Sequence, residues 1–187
     1  QTLASGSDDN TVILWHTNTG NRLRSLPGHT AAVLSVAFAN DGRTLASAAK
    51  DNSIILWDVE NGEPLRTLTG HTDWVTSVAF SPTDPILASG SYEGSVFLWD
   101  TVSGTLLNTL PGFTAVVSSV AFSPDGTTLA VGDFHNKVTL WSVATGELVR
   151  TMEGHTGSVT SVTFSPDGRT LASASADGTI ILWAVTP

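Results

Sequence analysis

The stretch GHTAAVLSVAFANDGRTLASAAKDNSIILWD, residues 28–58, decides the fold. It opens on a Gly-His pair and closes on a Trp-Asp pair. Between the pairs lie three short apolar segments: Val33-Leu-Ser-Val-Ala-Phe38, Thr44-Leu-Ala-Ser47 and Ser53-Ile-Ile-Leu-Trp-Asp58. A fourth, Pro64-Leu-Arg-Thr-Leu68, follows. Each is rich in β-branched residues, Leu or aromatics, and turn signals bound each one, so all four read as strands. Asn40-Asp-Gly42 supplies Asp and Gly where a tight turn wants them. Asn52 and Gly62 mark two further turns.

The stretch recurs along the chain. Five of the six tryptophans, Trp15, Trp57, Trp99, Trp141 and Trp183, are spaced 42 residues apart without insertion or deletion. Leu3, Leu45, Leu87, Leu129 and Leu171 keep the same step. So do Val36, Val78, Val120 and Val162, Phe38, Phe80, Phe122 and Phe164, and Gly28, Gly70, Gly112 and Gly154. The turns stay in register too. Asn10, Asn52, Gly94, Asn136 and Gly178 form one column, and Gly20, Gly62, Gly104 and Gly146 another. Asn and Gly tolerate left-handed backbone angles, so the first column reads as a hairpin turn. Four strands and three hairpins per unit, repeated every ~40–45 residues, make a β-propeller blade. At this spacing 187 residues hold about 4.5 units.

The Gly28-His29, Gly70-His71 and Gly154-His155 pairs, with Trp57-Asp58 and Trp99-Asp100, resemble the WD40 repeat family. Invariant spacing makes the resemblance specific where the dipeptides alone are weak, and it covers essentially the whole chain. It implies an all-β, WD40-type propeller of about 4.5 four-stranded antiparallel blades in one array. Residues 1–28 form a partial blade, 29–70, 71–112 and 113–154 are full repeats, and 155–187 are a partial repeat. The near-uniform units look like those of bacterial arrays.

Composition narrows function. Hydrophobic residues make up 41% and charged residues only 13%, a composition for packing rather than disorder. The absence of cysteine excludes a disulfide scaffold, a cysteine zinc site and a thiol nucleophile. The formal net charge of -9 makes nucleic acid or an anionic membrane a poor partner. No apolar run approaches ~18 residues and no signal peptide is visible, so a cytoplasmic location is expected. The start at Gln1, without methionine, points to a piece of a longer protein or a trimmed one.

Two units hold Ser, His and Asp in fixed columns: His29, Ser47, Asp51 and Trp57, and His155, Ser173, Asp177 and Trp183. A hydrolase triad is rejected, because an enzyme needs one such site and no G-x-S-x-G elbow is present. The resemblance implies a buried structural network instead, in which Asp accepts from His, His meets Ser and Ser meets the Trp ring nitrogen. The first unit carries Ser5, Asp9 and Trp15 without the His. The third has His71, Ser89 and Trp99 but Glu93 in place of Asp. The unit of Trp141 has Phe113, Val131 and His135 in the three polar positions, and apolar filling is expected there, with a mobile turn at His135. No metal site or phosphate loop appears, and no cofactor is expected.

Function in such a fold sits on loops. The resemblance implies that two loops per blade crowd the narrow face. Lys50, Asp73, Trp74, Tyr92, Val116 and Phe134 stand at those positions. Trp74 is the one tryptophan off the 42-residue register. Exposed aromatics on one face mark an interaction patch; the competing reading is that Trp74 covers a neighbouring loop. Arg24, Arg66, Asn108 and Arg150 form an outer-strand column, read as edge protection.

The leading function is therefore a non-catalytic scaffold that binds a protein or peptide on the narrow face. The alternative is a sensor or regulatory segment of a larger bacterial signalling enzyme, a kinase or a nucleotide-binding switch protein. An arc of about 4.5 blades leaves raw edges, so either two copies close a ring as a homodimer or the chain is a fragment of a larger propeller.

Overall fold

The computed structural model describes residues 2–185, and within them every regular element is a strand, so no helix is long and apolar enough to cross a membrane. Eighteen strands form five antiparallel sheets in chain order. The first has three strands, β1 (Thr2–Gly6), β2 (Val12–His16) and β3 (Arg22–Leu26). The second has β4 (Val33–Phe38), β5 (Thr44–Ala49), β6 (Ser53–Asp58) and β7 (Pro64–Thr69). The third has β8 (Val75–Phe80), β9 (Ile86–Ser91), β10 (Val96–Asp100) and β11 (Leu106–Leu110). The fourth has β12 (Val117–Phe122), β13 (Thr128–Asp133), β14 (Val138–Ser142) and β15 (Leu148–Met152). The fifth has β16 (Val159–Phe164), β17 (Thr170–Ser175) and β18 (Ile180–Ala184). Three, twelve and three strands reproduce the count along the sequence.

The sheets stack as blades. β4 packs on β8, β8 on β12 and β12 on β16, while β1 packs on β4. The core lies between blades rather than within one. Ile54 and Leu56 of β6 share a cluster with Val75, Val78 and Leu87 of the next blade. Val96 and Leu98 do the same with Val117, Val120 and Leu129, and Val138 and Leu140 with Val159, Val162 and Leu171. Burying one such side chain contributes roughly 1.5–3 kcal/mol, so each joint is worth several. Polar rungs fix the register of the stack. The N–H groups of Val78, Val120 and Val162 donate to Ser35, Ser77 and Ser119 Oγ of the preceding blade, at 3.2, 3.1 and 3.1 Å. Ser118 Oγ donates to Val159 O at 2.6 Å, and Thr76 Oγ1 to Val117 O.

The joint is open at both ends of the arc. Ile180 and Leu182 are 72% and 69% exposed, whereas Ile54, Leu56, Val96 and Leu98 are at most 2% exposed. Leu3 is 57% exposed, and its counterparts Leu45, Leu87, Leu129 and Leu171 are fully buried.

Turn chemistry follows the columns. Asn10, Asn52 and Asn136 adopt φ of 73°, 66° and 66°, and Gly94 and Gly178 adopt 77° and 82°. The outer-strand column does more than guard an edge. The Arg24 guanidinium donates to Glu60 O of the next blade at 3.1 Å. A Cβ on Gly62 would collide with the Arg24 side chain, and one on Gly104 or Gly146 would crowd Arg66 or Asn108. These residues bridge blades, and the glycine column is the space they need.

Candidate functional site

The His-Ser-Trp chains lie under the loop face. In the second blade His29 Nδ1 is 3.0 Å from Asp51 Oδ2, and His29 Nε2 is 2.7 Å from Ser47 Oγ. Trp57 Nε1 donates to the same Ser47 Oγ at 2.8 Å. A carboxylate only accepts, so the Nδ1 proton points at Asp51. The fifth blade repeats the arrangement: His155 to Asp177 at 3.0 Å, His155 to Ser173 at 2.7 Å and Trp183 to Ser173 at 2.8 Å. In the third, His71 meets Glu93 Oε1 at 2.8 Å and Ser89 at 2.7 Å, and Trp99 meets Ser89 at 2.8 Å. In the first blade, Trp15 donates to Ser5 at 2.9 Å, while Asp9 turns to Thr11. The three serines that carry the His bond are at most 1% exposed. A nucleophile must reach substrate, and these hydroxyls are closed off from solvent. No buried side-chain nitrogen or oxygen lacks a partner among the described residues.

The carboxylates are held ionised. Burial pushes Asp51 up, but bonds from Ser53, the Thr30 N–H and His29 outweigh it and set the group below the usual range. Thr179, chiefly, holds Asp177 low. Burial pushes Glu93 up as well, and bonds from Ser95 and His71 reverse the direction. Burial lowers His71, whose ring lies parallel to Phe97 at 4.2 Å, so its neutral form is favoured.

The fourth blade reroutes rather than simply filling with hydrocarbon. Phe113 tilts against Trp141 at 5.2 Å, and Val131 is buried. The Trp141 N–H still finds a partner, Thr139 Oγ1 at 2.8 Å, within its own strand. Asp133 accepts from the N–H of His135 at 2.9 Å and of Lys137 at 3.0 Å, tying the turn expected to be mobile. The sequence signal for both substitutes was a departure from the column: Thr139 shares its column with Ile13, Ile55, Phe97 and Ile181, and Asp133, the one charged member of its own, with Ser7, Ala49, Ser91 and Ser175.

On the loop face a repeated backbone bond joins the two loops of the second to fifth blades: Lys50 N–H to Ala32 O, Tyr92 to Trp74, Phe134 to Val116 and Ala176 to Ser158, at 2.8–3.0 Å. Three of the sequence-selected residues come together. Trp74 and Tyr92 meet with ring centroids 5.2 Å apart, and Lys50 Nζ, from the preceding blade, sits 4.6 Å above the Trp74 ring. Asp73 adjoins them and accepts the Trp74 N–H at 2.7 Å. Phe134 and Val116 stand on the next blade, joined to each other, and no ring contact links Phe134 to the Trp74 pair among the described residues. Trp74, Tyr92 and Phe134 are 40%, 46% and 44% exposed. No group of His, Asp and Glu could hold a metal ion among the described residues.

The stacked four-stranded blades with His-Ser-Trp chains define a propeller. The family model of the IFT122 first beta-propeller matches residues 1–132, and that of the WD domain, G-beta repeat matches residues 146–184. The chain belongs to the WD40-repeat β-propeller family. A comparison with curated proteins found no match.

Substitution separates network from surface. Asp51→Ala strands His29 and the Thr30 N–H, and a loss of ~1–3 kcal/mol is expected in denaturant unfolding. His135→Ala, on an exposed turn without a buried network, should cost under ~0.5 kcal/mol. Equal losses would contradict the structural role of the network.

Proposed function

We propose that the chain is a non-catalytic platform on which a protein or peptide seats against the loop face, with Trp74 and Tyr92 as anchors and Lys50, Asp73, Val116 and Phe134 around them. WD40 propellers generally mediate protein–protein interaction. The observation that carries the reading here is the half-exposed aromatic pair, packed at 5.2 Å and fixed by the Tyr92 N–H to Trp74 O bond. Large rigid aromatics deliver contact area at small entropic cost. The competing reading, a Trp that merely covers its neighbour, accounts less well for a ring 40% open to solvent. Trp74→Ala should weaken a partner recovered by affinity capture by ~2 kcal/mol or more in a titration, with little change in melting. A sharp drop in melting with binding intact would make Trp74 structural.

A second reading concerns assembly. The face of Ile180 and Leu182 is the inter-blade joint left uncovered, and Leu3 is its counterpart at the other end of the arc. Its occupant in this reading is a second copy, joined head to tail into a closed ring. Sedimentation at micromolar concentration should then give a dimer that Leu182→Glu dissociates. A well-folded monomer would refute it.

A further inference from the structure

We propose that Glu93 is a positioning residue for the loop face, carrying the order of the buried His71 network into the backbone beneath Trp74 and Tyr92. The inference rests on the loop-face reading above but is tested without a partner. In the second and fifth blades the network carboxylate closes on the amide directly after the histidine. Asp51 Oδ2 takes the Thr30 N–H at 2.8 Å, and Asp177 Oδ2 takes the Thr156 N–H at 2.9 Å. Glu93 has one more methylene, and the difference decides where it lands. Its Oε1 is spent on His71 at 2.8 Å and Ser95 Oγ at 2.7 Å. The Thr72 N–H still hydrogen-bonds the carboxylate, and Oε2 takes a further hydrogen bond one residue on, from the Asp73 N–H at 2.7 Å.

From there the path runs to the aromatic pair. Asp73 Oδ1 accepts the Trp74 N–H at 2.7 Å, and Trp74 O accepts the Tyr92 N–H at 2.8 Å. Tyr92 precedes Glu93 in the chain, so the bonds close a circuit: Glu93, Asp73, Trp74, Tyr92 and back. Both backbone polar groups of Trp74 are thereby occupied. The circuit is also tied to the neighbouring blade, where Asn52 Nδ2 donates to Thr72 O at 3.1 Å. Where Glu93 is Asp in the other two intact networks, the residues matching Asp73 and Trp74 are Ala31 and Ala32, or Gly157 and Ser158. The longer carboxylate and the anchoring tryptophan thus occur in the same blade. A side chain held in place before a partner arrives loses less freedom on binding, so the circuit favours affinity through preorganisation.

The test uses the intact chain and two-dimensional NMR of the tryptophan indole N–H groups, with the Trp74 resonance assigned from Trp74→Phe. The other five indole groups are bonded to Ser5, Ser47, Ser89, Thr139 and Ser173 and serve as internal controls. Glu93→Asp recreates the arrangement of the second and fifth blades, so the fold should survive. The expected result is that Thr72 keeps its protection while Asp73 loses its own, exchanging at least about tenfold faster. The Trp74 indole should shift and gain mobility while the Trp99 indole stays in place. Glu93→Gln, which keeps the reach and loses the charge, should give an intermediate exchange rate. Unchanged Asp73 exchange and Trp74 signals in Glu93→Asp would overturn the proposal. Shifts at Trp99 equal to those at Trp74 would also overturn it, since they would mark a general loosening of the blade. A failed partner titration with Trp74→Ala would strike the loop-face reading and leave these signals untouched.

Discussion

Each blade hides the apolar side chains of its tryptophan-bearing strand (β2, β6, β10, β14) under the valines of the blade that follows. Leu14, Leu56, Leu98 and Leu140 are at most 2% exposed for this reason, and the first two strands of the next blade, through Val33 and Leu45 or Val75, Val78 and Leu87, provide the cover. A single sheet cannot bury such a face alone, so the repeat is a condition for stability rather than an ornament of the sequence. Everything else is arranged around that joint. The serine rungs set the height of one blade against the next, and the Arg24 and Arg66 side chains fill the spaces beside the turn glycines outside it. Where the joint has no neighbour, at Ile180 and Leu182, the same pattern becomes exposed surface.

Much of this was legible from the sequence because repetition converts a weak local signal into a strong one. One segment such as Thr44-Leu-Ala-Ser47 is ambiguous, but the same segment in register with Leu3, Leu87, Leu129 and Leu171 is not. The turn columns were equally readable, since few residues accept the φ that Asn52 and Gly94 adopt. What escaped was whatever breaks strict alternation. The register shifts between Val33 and Ser35, Val75 and Ser77, Val117 and Ser119, and Val159 and Ser161, and it shifts again at Trp15, Trp57, Trp99 and Trp141. A period-two pattern carries no mark of such bulges.

The candidate site was legible in part. The loop columns picked out Trp74, Tyr92 and Lys50, which do meet, and Phe134, which stands apart on the next blade. Column membership says which loop a residue occupies, not how far its side chain reaches. The rescue of the Trp141 N–H by Thr139 depends on side-chain reach, as does the extension of Glu93 to the Asp73 N–H. The outer arginines stand on edge strands as read, and their second contact was hidden for a related reason. One strand shows the exposed edge, and only the neighbouring blade shows Arg24 lying over Gly62. The joints and the His-Ser-Trp chains are buried, and the loop residues Trp74, Tyr92 and Phe134 are open to solvent, the arrangement in which loops vary residue by residue on a packed scaffold.

The claim beneath the account is that stability resides between blades. A double-mutant cycle on Leu56 and Val75, which share one cluster across the joint of the second and third blades, reads it directly. Leu56→Ala alone should cost about 2–5 kcal/mol, and the pair should couple by about 0.5–3 kcal/mol in denaturant unfolding. Leu56→Ala with Val162→Ala, in blades that do not touch, should be additive. Additive losses for Leu56 and Val75 as well would contradict the account.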